Sequence, residues 1–243
     1  MLTSRMGPIP QPPSYHQFAD QRTLLGIPRF ADVVSNIGFA IVGVWGIIFL
    51  RQQSASKRAF IDLRERWPYM VAFLGFVLTS AGSAYYHVLP TNARLVWDRL
   101  PMTIVFGALI GAMIAERISV EAGLNLLPLV VLASMGSVLQ WYWDELHGRG
   151  DLRFYASVQV YSALVLILVL LIRSRYTHGY LLAVVFGFYV LAKVFEELDD
   201  QIFSRTRFVS GHTLKHLAAA AAGYCILRML QRRAPLPAEF IAH

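Results

Sequence analysis

Seven stretches of predominantly apolar residues dominate this chain, and at about 17–22 residues each is long enough to cross the hydrocarbon core of a bilayer as a helix. They fall at residues 32–50, 68–87, 99–115, 124–142, 154–172, 178–198 and 210–230. Backbone amides inside lipid find no water, so only helices or a closed barrel satisfy them. Uninterrupted apolar runs lack the alternation of a membrane strand, which excludes the barrel. The expected fold class is therefore all-α, a seven-transmembrane helix bundle. Residues 1–31 read as an N-terminal surface arm, 32–230 as the transmembrane domain and 231–243 as a short C-terminal tail. The arm holds several prolines and no apolar core suited to a cleaved signal peptide, so insertion is expected to rest on the first span.

Composition agrees with the spans. Hydrophobic residues make up 56% of the chain and charged residues only 15%, against about a quarter charged in soluble domains. The formal net charge is +7, but no nucleic-acid motif accompanies it. The basic residues read instead as loop charges facing anionic lipid head groups, and nucleic acid is not an expected partner. The single cysteine, Cys225, lies in an apolar run without an intramolecular partner.

With seven spans, the basic first loop (Arg51, Lys57, Arg58, Arg64, Arg66) shares a face with the C-terminus. The excess of Lys and Arg there favours a cytoplasmic C-terminus and an external N-terminus. Acidic residues gather on the other face: Asp20, Asp32, Asp98, Asp144, Glu145, Asp151, Glu196, Glu197, Asp199 and Asp200. Chemistry is expected on that N-terminal face.

Residues 83–102 join the second span to the third and carry Ser83, His87 and Asp98 at the edge of apolar sequence. Ionisable groups at such depth are costly to desolvate and mark functional sites by default. The seventh span opens with His212 and His216, four residues apart and so on one helix side. The topology brings His87, Asp98, His212 and His216 to similar depth on one face. Three neutral imidazoles bind zinc well and leave a fourth tetrahedral position for water, whose proton is then lost near neutral pH. Asp98 would orient that water and shuttle its proton, and Ser83 would donate to a developing oxyanion. Each signal alone has a plainer account: an interfacial hydrogen-bonded histidine, a chance HxxxH, a serine bonded to its own helix. Their convergence on one face argues for a metal site.

These motifs, Ser83-x3-His87, Asp98-x-Leu100-Pro101-Met102 and His212-x3-His216, resemble the alkaline ceramidase family within the CREST superfamily of seven-helix membrane hydrolases. Phe18-Ala-Asp20-Gln-Arg22 and Asp32-Val-Val-Ser35-Asn36 are similar to that family's entry into its first helix, so the resemblance covers nearly the whole chain. It implies zinc on the three histidines, Asp98 acting on the metal's water and Ser83 stabilising the oxyanion during amide hydrolysis. The implied function is zinc-dependent hydrolysis of a lipid drawn from the bilayer, with ceramide or a related N-acyl sphingoid as expected substrate. The match looks closer to bacterial members, which implies a multi-pass protein of a bacterial inner membrane. A calcium site is not predicted, because the arm offers chiefly Asp20 and Asp32 while Arg22 and Arg29 occupy neighbouring ground. Asp98 is followed by Arg99, where that family commonly has an acidic residue. The competing readings are a receptor-like or structural seven-helix zinc protein, and a hydrolase of a different lipid amide or ester.

Three further features complete the inventory. Lys193, Glu197 and Asp200 recur at one helical turn in the sixth span, with Glu196 adjacent. They read first as an ion-paired stripe, and secondly as contacts to substrate head groups or supports for the ligands through Lys215. Trp141 and Trp143 read as interfacial anchors, and His147 as a minor site candidate.

Overall fold

The order of elements follows from where apolar runs give way to capping residues. A computed structural model describes residues 7–53 and 59–237. Lys57 and Arg58 of the first loop, the first six residues of the arm and residues 238–243 of the tail lie outside them. A short helix α1 (Phe30–Val34) leads directly into α2 (Ile37–Gln52). There follow α3 (Arg66–Val88), α4 (Asn92–Arg117), α5 (Val120–Leu146), α6 (Arg153–Leu170), α7 (Leu181–Glu197), α8 (Asp199–Thr206) and α9 (Gly211–Arg232). Thr91, Ser119 and Ser210 cap α4, α5 and α9, each accepting a backbone N–H from the first turn, as short hydroxyl side chains do at helix starts.

Among the described residues, five segments are long and apolar enough to cross a membrane: Phe30–Gln52, Leu63–Val88, Asn92–Arg117, Val120–Leu146 and Arg153–Leu170. Helix α7 has 17 residues and α9 carries histidines, a lysine and arginines among its 22. These two pack against each other, and α3 packs on both α2 and α4. The expected spans coincide with observed helices to within a few residues at most ends. The exception is the start of α4, seven residues earlier than expected, so Asp98 lies inside the helix and not ahead of it. Helix α8 was not anticipated.

Close approach of α3 and α4 is built from two residues. Pro101 has no N–H, so it cannot donate to the carbonyl of Trp97 four residues back. Gly82 on α3 comes so near that carbonyl that a Cβ placed there would lie 1.9 Å from its oxygen. A glycine at a helix crossing permits such an approach, and here it seats Ser83 against the turn that carries Asp98.

The two ends of the bundle hold separate polar clusters. Opposite the histidines, Arg233 is buried and bonds Glu116 (2.6 Å) and the Ala59 carbonyl (2.7 Å). Its guanidinium lies over Phe60, Tyr69 and Tyr176. Glu65 pairs with Arg175 (3.2 Å) and accepts from the Tyr176 hydroxyl (2.5 Å). The start of the expected C-terminal tail is thus folded into the bundle end.

Candidate metal centre

Helix α3 delivers His87 from its last turn, and α9 delivers His212 and His216 from its first two. All three are buried, and one nitrogen from each can be chosen so that the three lie within 4.8 Å of one another. The Nε2 atoms of His87 and His212 are 3.2 Å apart. Two nitrogens on one tetrahedral zinc, each at about 2.0–2.1 Å, are separated by about 3.3 Å. The spacing and the donor chemistry therefore fit a shared metal ion. The group holds three residues among those described, leaving a tetrahedral ion one further position.

The tautomer of His216 is set by a contact that sequence reasoning missed. Ser35 donates its hydroxyl proton to the Asp32 carbonyl (3.0 Å), so toward His216 Nδ1, at 2.8 Å, it can only accept. His216 then carries its proton on Nδ1 and keeps a lone pair on Nε2, as a ligand requires. Asp32 in turn accepts from Ser210 (3.1 Å) and Thr213 (2.6 Å) at the start of α9. The Asp32-x2-Ser35 pair was visible in the sequence, but nothing in its spacing revealed a partner some 180 residues away.

The arm is a cover over the site. Phe18 is buried with its ring edge-on to both His87 (4.6 Å between centroids) and His212 (4.5 Å). Asp199 accepts from the backbone N–H of Ala19 (2.9 Å) and of His212 (2.7 Å), tying the arm to the metal helix. Arg29 donates to the His87 and Val88 carbonyls at 2.7 and 2.8 Å. His16 bridges Tyr86 (2.9 Å) and Asn92 (2.8 Å). Arg22 bonds both oxygens of Asp20 and the carbonyls of Arg207 and Phe208. That hydrogen-bonded guanidinium holds the Asp20 carboxyl below the usual carboxylate range, against the opposing effect of burial.

Ser83 and Asp98 are both buried and line a cavity of about 330 Å³ together with His216. Away from the histidines that cavity is walled by apolar side chains such as Met113, Leu170, Leu182 and Ile226. The structure thus brings together all five expected site residues. It does not bring in the others: His147 is exposed and bonded to the Trp143 carbonyl, and Glu197 and Asp200 are exposed at the end of α7 and start of α8. Lys193 pairs with Glu196, not Glu197. Trp143 is exposed as an anchor should be, whereas Trp141 is buried over the Arg99 guanidinium, 4.4 Å from its ring centre.

No protein-family model matches this chain and no curated protein does. What fold and site define is a class: a helical protein with segments long and apolar enough to cross a membrane and a buried three-histidine group that could hold a metal ion.

Proposed function

We propose that the protein is a zinc-dependent hydrolase of a lipid amide, acting inside a seven-helix bundle in which α7 and α9 also span the bilayer and the N-terminal face is external. Ceramide or a related N-acyl sphingoid is the favoured substrate. The observation that carries this reading is the shared wall: His216, one member of the histidine group, lines one largely apolar cavity together with Ser83 and Asp98. Zinc held by His87, His212 and His216 would supply an acidified water and polarise the acyl carbonyl. Ser83 donates to the carbonyl oxygen as negative charge develops on it. Asp98 takes the proton from the attacking water and returns it to the leaving amine. The apolar end of the cavity holds the acyl chain and excludes bulk water.

The test is the metal content and fatty-acid release of purified protein incubated with N-acyl lipids. About one zinc per chain is expected. His216→Ala should lose metal and turnover together, and Asp98→Asn should keep zinc while losing turnover by roughly 10²–10⁴-fold. Full metal and turnover in His216→Ala would overturn the ligand set. A zinc protein that releases no fatty acid from any amide lipid would favour the structural reading.

A further inference from the structure

The cavity wall beside the histidines carries a charged row that this hydrolytic scheme does not use. Lys215, between the two α9 histidines, places its ammonium on Glu196 Oε1, and Lys193 reaches Glu196 Oε2 at 2.7 Å. The Lys215 and Glu196 side chains are 16% and 17% exposed and that of Lys193 is 52% exposed, so the row runs from the interior to the cavity mouth. All three residues line the cavity that Ser83, Asp98 and His216 share.

An ammonium has three N–H donors and no acceptor. Each oxygen of Glu196 already receives a lysine, so the row presents a ligand with spare donors and one net positive charge. One lysine suffices to tie α7 to α9. The second, at the cavity mouth, leaves the row with a net positive charge, for which an anion is the complementary ligand. Arg99 adds to the imbalance. It is buried against Tyr15, Trp141 and Tyr155, donates to Gln11 at 2.7 Å, and its Nη1 is without a hydrogen-bond partner. Among the described residues lining the cavity, Lys193, Lys215 and Arg99 outnumber Asp98 and Glu196.

We infer that Lys215 and Lys193, held by Glu196, form a head-group subsite for the oxyanion of an amphiphile, a phosphate or a carboxylate, whose chain fills the apolar end of the cavity. The inference rests on the lipid-site reading above and, within its N-acyl sphingoids, favours those with an anionic head group over neutral ceramide. A long hydrocarbon chain satisfies the Met113 and Ile226 end, and neither lysine offers anything to a group that can only donate.

The test uses the full chain, purified with its metal in nonionic detergent, and compares the dissociation constants of hexadecyl phosphate, hexadecanoate and hexadecanol. At least one oxyanion should bind about tenfold more tightly than the alcohol, and the tighter of the two identifies the head-group chemistry. Lys193→Met, at the exposed mouth where folding is not at stake, and Lys215→Met should each reduce that preference several-fold. Glu196→Gln should increase it, because it removes the competing carboxylate. A mere structural pair would respond in the same direction to loss of either partner, so matched losses overturn the inference, as does equal binding of alcohol and oxyanions. Equal hydrolysis of neutral and phosphorylated N-acyl lipids would remove the subsite and leave the hydrolase. Oxyanion preference without hydrolysis of any amide would remove the hydrolase and leave the subsite.

Discussion

Gly82→Ala tests whether the α3–α4 crossing sets the catalytic geometry. The new methyl would stand 1.9 Å from the Trp97 carbonyl oxygen, and ordinary contact begins near 3.4 Å. The helices must therefore separate locally by about 1.5 Å. The obstacle is backbone, with no rotamer to swing aside, and overpacking of this kind costs about 1–3 kcal/mol. For a chain of this size that corresponds to a melting temperature lower by roughly 2–12 °C. The separation acts directly between Ser83 and Asp98, which flank the contact in sequence. A displacement of about 1 Å at reacting groups costs on the order of 10²-fold in rate. Turnover of an N-acyl lipid should fall by that factor while zinc content stays near one per chain, since none of the ligands touches the methyl. Thermal denaturation in detergent, metal analysis and fatty-acid release on one preparation measure all three quantities. A variant with wild-type melting and wild-type turnover would refute the crossing as the determinant of site geometry.

Phe18→Ala should speed zinc loss to a chelator by about tenfold or more, because two edge-on contacts to the ligands, each worth about 0.5–1.5 kcal/mol, are lost; Phe18→Leu, which keeps the burial, should recover only part of the retention. Arg233→Ala removes one partner of a pair whose side chains are 1% and 2% exposed. It should destabilise the protein by about 3–5 kcal/mol in thermal denaturation, leaving zinc stoichiometry unchanged. The arm should loosen in acid. Arg22 and Arg153 hold the carboxyls of Asp20 and Asp151 below their ordinary value of 3.8, that of Asp151 at about 2. Carboxyls lowered by folding contribute stability that is complete above the unfolded pKa and lost as pH falls through the folded one. Hydrogen exchange of the arm, where Ile9 and Arg22 donate their amides to these carboxylates, should be pH-independent above about pH 5 after intrinsic-rate correction, and protection should fall between about pH 4 and pH 2.

The helices and the end of the bundle that carries the site were legible in the sequence because hydrocarbon thickness matches the length of the apolar runs and alternating helix direction fixes which helix ends meet. Ser83, His87, Asp98, His212 and His216 could be placed together on those grounds alone. The position of Asp98 within its helix could not, because Pro101 and the charged run Arg94 to Arg99 look like a loop; Thr91 supplies the cap that starts the helix early, and Pro101 costs it only one backbone bond, whose acceptor meets Gly82 instead. Nor could the roles of Phe18, Ser35 and Asp199, which act through one or two contacts to residues far away in the chain. Such contacts leave no periodic trace. Trp141 shows the same limit from the other direction: an aromatic residue near a helix end fits an interfacial belt by position, and only the tertiary neighbour decides. That neighbour is Arg99, a buried cation without an acidic ion-pair partner among the described residues, and a ring face attracts such a cation where water cannot reach it. Arg99 is thus enclosed by the rings of Tyr15, Trp141 and Tyr155. The charge row of Lys193, Glu196 and Lys215 lines the same cavity and is where the ligand preference should be set.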